Sequence, residues 1–343
     1  MRSIRSFTRL ALASAALSLL AVPAANAQTV KEIRMLEAGG DSGEAVQAAY
    51  IEPFQKKTGI RVVRENPTSL GKLKAMVASK NITTPIVLVP RSWLVQAKTE
   101  NLLEPLDWAA IAPQPITAEA KDSHAIGWSY FSNVMAWRSD VKAPKTWADF
   151  WNVADFPGKR SLIDDPSVML PVALLADGVP MDKLFPLDID RAFRSLAKIR
   201  PHVSVWWTAG SQPPQLLQDK EVAYAMTYSG RVYGKPGISM TYNQGILDLS
   251  YFGVPRGATP EQKMAAMQFF HELTVPENQV VAMARIPYSG ASANLDKVLA
   301  ADKAALYPTT AGNAKLQFMN DIEGWKVIAP KVEKRWQQFK LGM

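Results

Sequence analysis

KEIRMLEAGGDSGEAVQAAYIEPFQKKTGIRVVRE, residues 31–65, carries the pattern that decides the fold. KEIRMLEA (31–38) reads as a strand, and GGDSG (39–43) turns the chain. From Glu44 to Lys57 the period becomes helical, with Val46, Ala49, Tyr50 and Phe54 on one face and Gly59 closing the helix. Pro53 inside that pattern predicts a kink or an early break. IRVVRE (60–65) is a second strand. Strands joined by a helical crossover run parallel, so the stretch predicts an α/β fold with mainly parallel sheets.

The alternation continues outward. A helix is predicted over Ser69–Lys80, then a short buried strand, IVLV (86–89), with Pro90-Arg91-Ser92-Trp93 at its C-terminal end. Ligands of open α/β sheets bind beyond the carboxyl ends of the strands, which makes those residues site candidates. A second block begins near Val141. Thr146 caps a helix whose Trp147, Phe150 and Trp151 are spaced for core packing; FPGKR is a turn and SLID a strand. DPSVMLPVALLADG is an apolar helix, and PLDIDRAFRSLAKI an amphipathic one capped by Asp188. VSVWW (203–207), VAYAMTY (222–228) and ISMTY (238–242) are strands, and QLLQD a short helix. After LDLSYFGVPRGA, Thr259 caps PEQKMAAMQFFHEL and helical patterns run on to the C-terminus. No repeat and no flexible linker separates the blocks, which suggests a hinged pair.

Composition bounds the rest. The chain has 343 residues, 48% hydrophobic and 20% charged, enough for about two domains at ~150 residues each. Arg2, Arg5 and Arg9 precede the apolar run LALASAALSLLAV, and Ala25-Asn26-Ala27 fits a small-x-small cleavage site. Residues 1–27 therefore read as a signal peptide cut after Ala27, since the apolar run is shorter than the ~20 residues of a membrane span. With no cysteine, the chain has neither a lipid-modified anchor nor disulfides, and a bacterial periplasmic protein is expected. The formal charge of +8 includes the three leader arginines and leaves +5 on the mature chain. Basic pairs such as Lys56-Lys57 and Lys159-Arg160 are scattered and read as solvated surface, so no nucleic-acid partner is expected. His124, His202 and His271 lack metal-ligand spacing, and no G-x-S-x-G elbow or P-loop is present. Neither metal, nor cofactor, nor catalytic residue is expected. Asp164 and Asp165 are adjacent acids, one of which would serve as a helix cap.

Particular segments carry a family resemblance. IEPFQKKTGIRVV (51–63) resembles a segment near the mature N-terminus of type II periplasmic solute-binding proteins. PKTWADFWNVADFPGKRSLIDDP (144–166), LFPLDIDRAF (184–193), VWWTAGSQPPQLLQDKEV (205–222) and IPYSGASANLDKVL (286–299) are similar to the polyamine-type branch, the spermidine/putrescine-binding proteins of ABC importers. The resemblance covers essentially the whole mature chain. It implies two α/β lobes, each a mostly parallel sheet flanked by helices, closing on a ligand in the cleft between them. Lobe 1 would comprise residues 28–135 and the return from 250 to 343 with its C-terminal helices, and lobe 2 residues 136–249.

On that frame the VWW strand ends at the cleft. Successive strand residues point to opposite faces, so one of Trp206 and Trp207 would face ligand and the other the core, which one being open. An aromatic face there can hold a cation. Thr208, Ser211 and Gln212 would supply hydrogen bonds, and the amides opening the QLLQD helix could meet an anion. A polyamine also demands carboxylates along the cleft. Of the branch's acidic pair, Asp165 is retained but Val168 replaces its partner; where the branch has a Trp and an Asp two apart, this chain has Asp248 and Ser250. Tyr228 stands for a tryptophan, and Arg91, Ser92 and Trp93 for small hydroxyl residues and a Tyr. Arg91 would hold a carboxylate or phosphonate, or else pair with Asp107 or Glu104. Glu37 and Asp41 are further ammonium partners. The expectation is a monomeric periplasmic receptor that delivers a polyamine-like or amine-containing solute to an inner-membrane ABC permease. The alternatives are a receptor for a carboxylate- or phosphonate-bearing solute, a secreted enzyme on a small polar substrate, and a chemoreceptor adaptor.

Overall fold

The computed structural model describes residues 30–300, 303 and 306–342, so the signal-peptide reading and its cleavage site lie outside the described residues. Among the described residues ten strands form one sheet: β1 Glu32–Leu36, β2 Arg61–Glu65, β3 Ile86–Pro90, β4 Ala125–Arg138, β5 Arg160–Ile163, β6 Val203–Trp207, β7 Tyr224–Tyr228, β8 Ile238–Gly253, β9 Ser289–Gly290 and β10 Gln317–Phe318. Their order is β2-β1-β3-β8-β4-β7-β5-β6, with β9 on β4 and β10 on β8. The outer triplets, β2-β1-β3 and β7-β5-β6, are parallel, as the crossover pattern predicts. Between them the long β4 and β8 run antiparallel from Ala125↔Gly253 to Arg138↔Ile238.

These two strands join the halves of the molecule. The first half of β4 packs with one apolar core, which includes Trp128 and Tyr130, and its second half with another, which includes Met135 and Trp137. The register of the pair slips between Asn133 and Met135, and the slack is taken up around Gln244, whose φ of 57° is left-handed. Gln244 then receives the WADFW helix (Trp147–Trp151): its Oε1 accepts the Trp147 N–H at 2.9 Å and its carbonyl the indole N–H at 3.0 Å. β4 was absent from the predicted elements because almost every side chain in it is buried, which erases the alternation of a one-sided strand.

Helix-start signals fall where expected except in the first unit, where GGDSG, read as a turn, is helical from Gly40. Ser69, Thr146, Asp165, Asp188 and Thr259 each accept a backbone N–H of the helix they start, and Thr146 and Thr259 belong to reciprocal capping boxes. Pro53 neither breaks nor stops its helix. Helical backbone runs from Gly40 to Thr58, with a π turn at Gln47–Ile51 that ends two residues before the proline. The wider turn makes room for a ring that lacks an N–H to donate. One surface reading is corrected: Arg160 is fully buried, its guanidinium donating to the carbonyls of Phe150, Gly158 and Phe156 and lying 4.8 Å from the Tyr224 ring centre. Its charge is stabilised by three carbonyl dipoles and a ring face.

The C-terminal helix, Ile322–Leu341, sends Val332, Trp336 and Phe339 into the second core. It also lies along the Arg91–Thr99 helix across a groove of about 610 Å³.

Candidate functional site

The carboxyl ends of β3 and β5, the middle of β8 and the segment before the C-terminal helix converge. Arg91 and Ser92 from the first, Asp165 and Ser167 from the second, Asp248 from the third and Asn320 from the fourth line a small cavity of about 30 Å³, room for one small polar group. Arg91 donates to the Asn320 carbonyl at 3.2 Å. Neither of its other proposed partners is available, since Asp107 caps the Trp108–Ile111 helix and Glu104 is bonded to Arg256 and the Gly257 amide. Asp165 accepts the Ser167 N–H at 2.9 Å and its hydroxyl at 2.6 Å. Burial pushes its carboxyl above the ordinary range, and pushes Asp248 up to about 6. Asn320 donates its amide to the Ser167 carbonyl at 3.2 Å, while its Oδ1 is buried with no hydrogen-bond partner.

Tyr228, at the end of β7, neighbours the acids of this cavity and a second charged group. Its ring is held edge-on by Phe131 and by Trp207, both at 5.2 Å between centres. Burial raises its hydroxyl pKa, and the charges of Asp165 and Asp248 raise it further. On the far side Arg231 lies near Tyr288, whose pKa burial pushes up to about 12, and reaches Asp41 at 3.7 Å. The Arg231 Nε is buried and makes no hydrogen bond. Asp41 lies in the first turn of a helix of the first half of the molecule and Arg231 follows a strand of the second, so this pair joins the two halves.

Of the residues expected at the site, Arg91, Ser92, Asp165, Tyr228 and Asp248 are therefore together, and Asp41 faces Arg231. Trp93 lines the adjoining groove. Trp207 is 1% exposed and serves as backing for Tyr228, its indole donating to the Met226 carbonyl at 2.9 Å. Trp206 points the other way, edge-on to Trp336 and Phe339 of the C-terminal helix at 5.3 and 5.8 Å. Neither ring offers its face to the cavity. Glu37 is buried against Arg64 and accepts the Gly39 N–H. Thr208 and Ser211 are exposed on the loop, and the Gln212 side chain folds back to accept the amides of Thr208 and Ala209. That loop still touches the site: a Cβ on Gly210 would stand 2.7 Å from the Tyr228 ring. Phe131, Arg231, Tyr288 and Asn320 are the contributors that sequence reasoning missed as ligand-site residues. Tyr288 stood inside the quoted segment IPYSGASANLDKVL and Arg231 three residues beyond VAYAMTY, but only the fold brings them to Tyr228.

Comparison with known proteins agrees with this architecture. A model of the bacterial extracellular solute-binding protein family matches residues 49–309. The chain is 32% identical to a gamma-aminobutyric acid-binding protein of Pseudomonas aeruginosa, over 96% of this chain and 95% of that protein. It is 23% identical to the spermidine/putrescine-binding periplasmic protein of Escherichia coli, over 87% and 90% respectively. Among solved structures, an ABC transporter substrate-binding protein from Bradyrhizobium japonicum superposes with a TM-score of 0.83 at 33% identity, covering 90% of this chain and 99% of that one. Two α/β halves crossed by paired strands, with polar groups gathered where the strands end, place this chain in the family of bacterial extracellular solute-binding proteins.

Proposed function

We propose that the solute is a short amino acid with its ammonium and carboxylate at opposite ends, of the gamma-aminobutyric acid class, and that the chain delivers it in the periplasm to an ABC permease. The observation that carries this reading is the buried, unpartnered Nε of Arg231, separated by Tyr228 from the Asp165 and Asp248 carboxylates. A guanidinium with a buried, unused donor favours an anionic group, and half-buried carboxylates favour an ammonium. Three acids (Asp41, Asp165, Asp248) and two arginines (Arg91, Arg231) leave one formal negative charge around the site. A diamine would place its second ammonium against Arg231, at a cost in like-charge repulsion. The identity to a gamma-aminobutyric acid-binding relative supports the same class.

In this reading the leader is removed after Ala27 and the receptor acts as a monomer, holding its ligand stoichiometrically without consuming it. The lobes are 28–135 with 250–343, and 136–249; the division of the cores along β4 and β8 supports the boundaries near 135 and 249, whereas the C-terminal helix packs on the core of the second lobe. The test is thermal denaturation of refolded protein against gamma-aminobutyric acid, butyrate and putrescine. Ligand at a hundredfold its Kd adds about 2.7 kcal/mol of stability. We expect a saturable shift with the amino acid alone, lost in Arg231→Gln. A shift with putrescine that survives Arg231→Gln would reject the reading in favour of a polyamine receptor.

A further inference from the structure

We propose that the solvent-facing side of the C-terminal helix and the neighbouring Ile189–Ile199 helix is a docking surface for an anionic phospholipid bilayer. Along Ile322–Leu341, residues Val327, Lys331, Lys334, Gln338 and Leu341 follow helical spacing and form one stripe. Val327 and Leu341 are 81% and 74% exposed, unusual for large apolar side chains, and stand about 21 Å apart at 1.5 Å per residue. The two lysines lie between them. Beside the stripe runs a groove of about 520 Å³, floored by Phe193 and Phe339 and edged by Arg194, Lys331, Lys334 and Arg335.

Charge on this face is unbalanced. Arg335 spans the Phe193 ring at 4.2 Å and takes the Asp190 carboxylate. Among the described residues Arg194, Lys331 and Lys334 form no ion pair, and Asp190 and Glu323 are the acids on this face. A protein partner would call for a contiguous apolar centre, whereas here two apolar residues flank a basic middle. That arrangement suits a broad planar surface of negative headgroups, into which Val327 and Leu341 dip while the lysine stems reach the phosphates. The ligand site stays free, because a different side of the same helix, including Trp325, Ala329 and Gln337, lines the groove toward Trp93. Docking in this manner would concentrate the receptor in the plane where its permease lies.

The experiment is co-sedimentation of the mature protein with vesicles of equimolar phosphatidylglycerol and phosphatidylcholine, or of phosphatidylcholine alone, at low and high salt. We expect binding to the anionic vesicles only, weakened by salt and lowered about tenfold or more by Lys331→Glu combined with Lys334→Glu. The amino-acid thermal shift should be unchanged in that variant, which separates lost docking from lost folding. A second variant, Val327→Ser with Leu341→Ser, should weaken vesicle binding without altering its salt dependence. Equal sedimentation with both vesicle types, or insensitivity to the charge reversal, would overturn the proposal. A charge reversal that blocked solute uptake in cells yet left vesicle binding intact would assign the face to a protein partner instead, which also overturns it.

Discussion

Asp248 shows how a single carboxylate couples the site to pH. Its pKa is raised by burial to about 6 in the folded protein, against an ordinary value near 4 when the chain is unfolded. A carboxyl whose folded pKa is raised contributes its stability below the unfolded value and loses it as pH rises through about 6. The ligand-free protein is therefore expected to gain from Asp248→Asn, by roughly 1–3 kcal/mol at about pH 7.5 and by little at about pH 4. Melting temperatures of both proteins at the two pH values check the sign. An ammonium ligand supplies the missing counter-charge, so its stabilisation should be larger at about pH 7.5 than at about pH 5, and smaller in Asp248→Asn at the higher pH. Asp165 shifts in the same direction and lines the same cavity, so an ammonium bound there would meet the two acids as a pair.

At the scale of elements, the C-terminal helix is held by aromatic packing. Trp336 is 1% exposed, lies edge-on to Trp206, stacks on Phe339 at 5.3 Å and donates its indole N–H to Asp164 at 2.7 Å. Lys340 meets the other oxygen of the same carboxylate. Replacement by alanine removes the packing and the hydrogen bond together and should cost about 3–5 kcal/mol. Phenylalanine keeps most of the packing and should cost about 1 kcal/mol. Urea midpoints of the two variants distinguish these contributions. The alanine variant should also weaken ligand binding, because Asp164 adjoins Asp165 in the chain and Asn320 lies just ahead of the helix.

For the whole molecule, the cleft is crossed by β4 and β8 on one side and bridged by the Arg231–Asp41 pair at 3.7 Å. A ligand that binds between the halves stabilises the closed arrangement over the open one by its difference in affinity for the two. Small-angle scattering should therefore give a smaller radius of gyration with gamma-aminobutyric acid than without it. Asp41 is exposed, so its ion pair is a weak latch, and Asp41→Ala should cost no more than about 1 kcal/mol of affinity, or about fivefold in Kd. A loss of a hundredfold would mean that Asp41 itself touches the ligand.

Much of this was legible in the chain. Periodicity between residues 31 and 65 specified a parallel α/β unit, Thr146, Asp188 and Thr259 marked their helix starts, and one of Asp164 and Asp165 was expected to, because capping and amphipathic spacing are local. Arg91, Asp165, Tyr228 and Asp248 could be picked out as site candidates by their positions at strand ends or by resemblance. What the chain alone did not determine are facts about neighbours distant in sequence. β4 hid because burial on both faces erases its period. Trp206 and Trp207 were distinguished only once a helix more than a hundred residues later covered one and β7 the other. Arg231, Phe131 and Tyr288 became a site only when β4, β7 and the segment before β9 met. Local hydrogen bonding can be written in a few consecutive residues, whereas the direction of a side chain and the company of a buried charge are settled by packing.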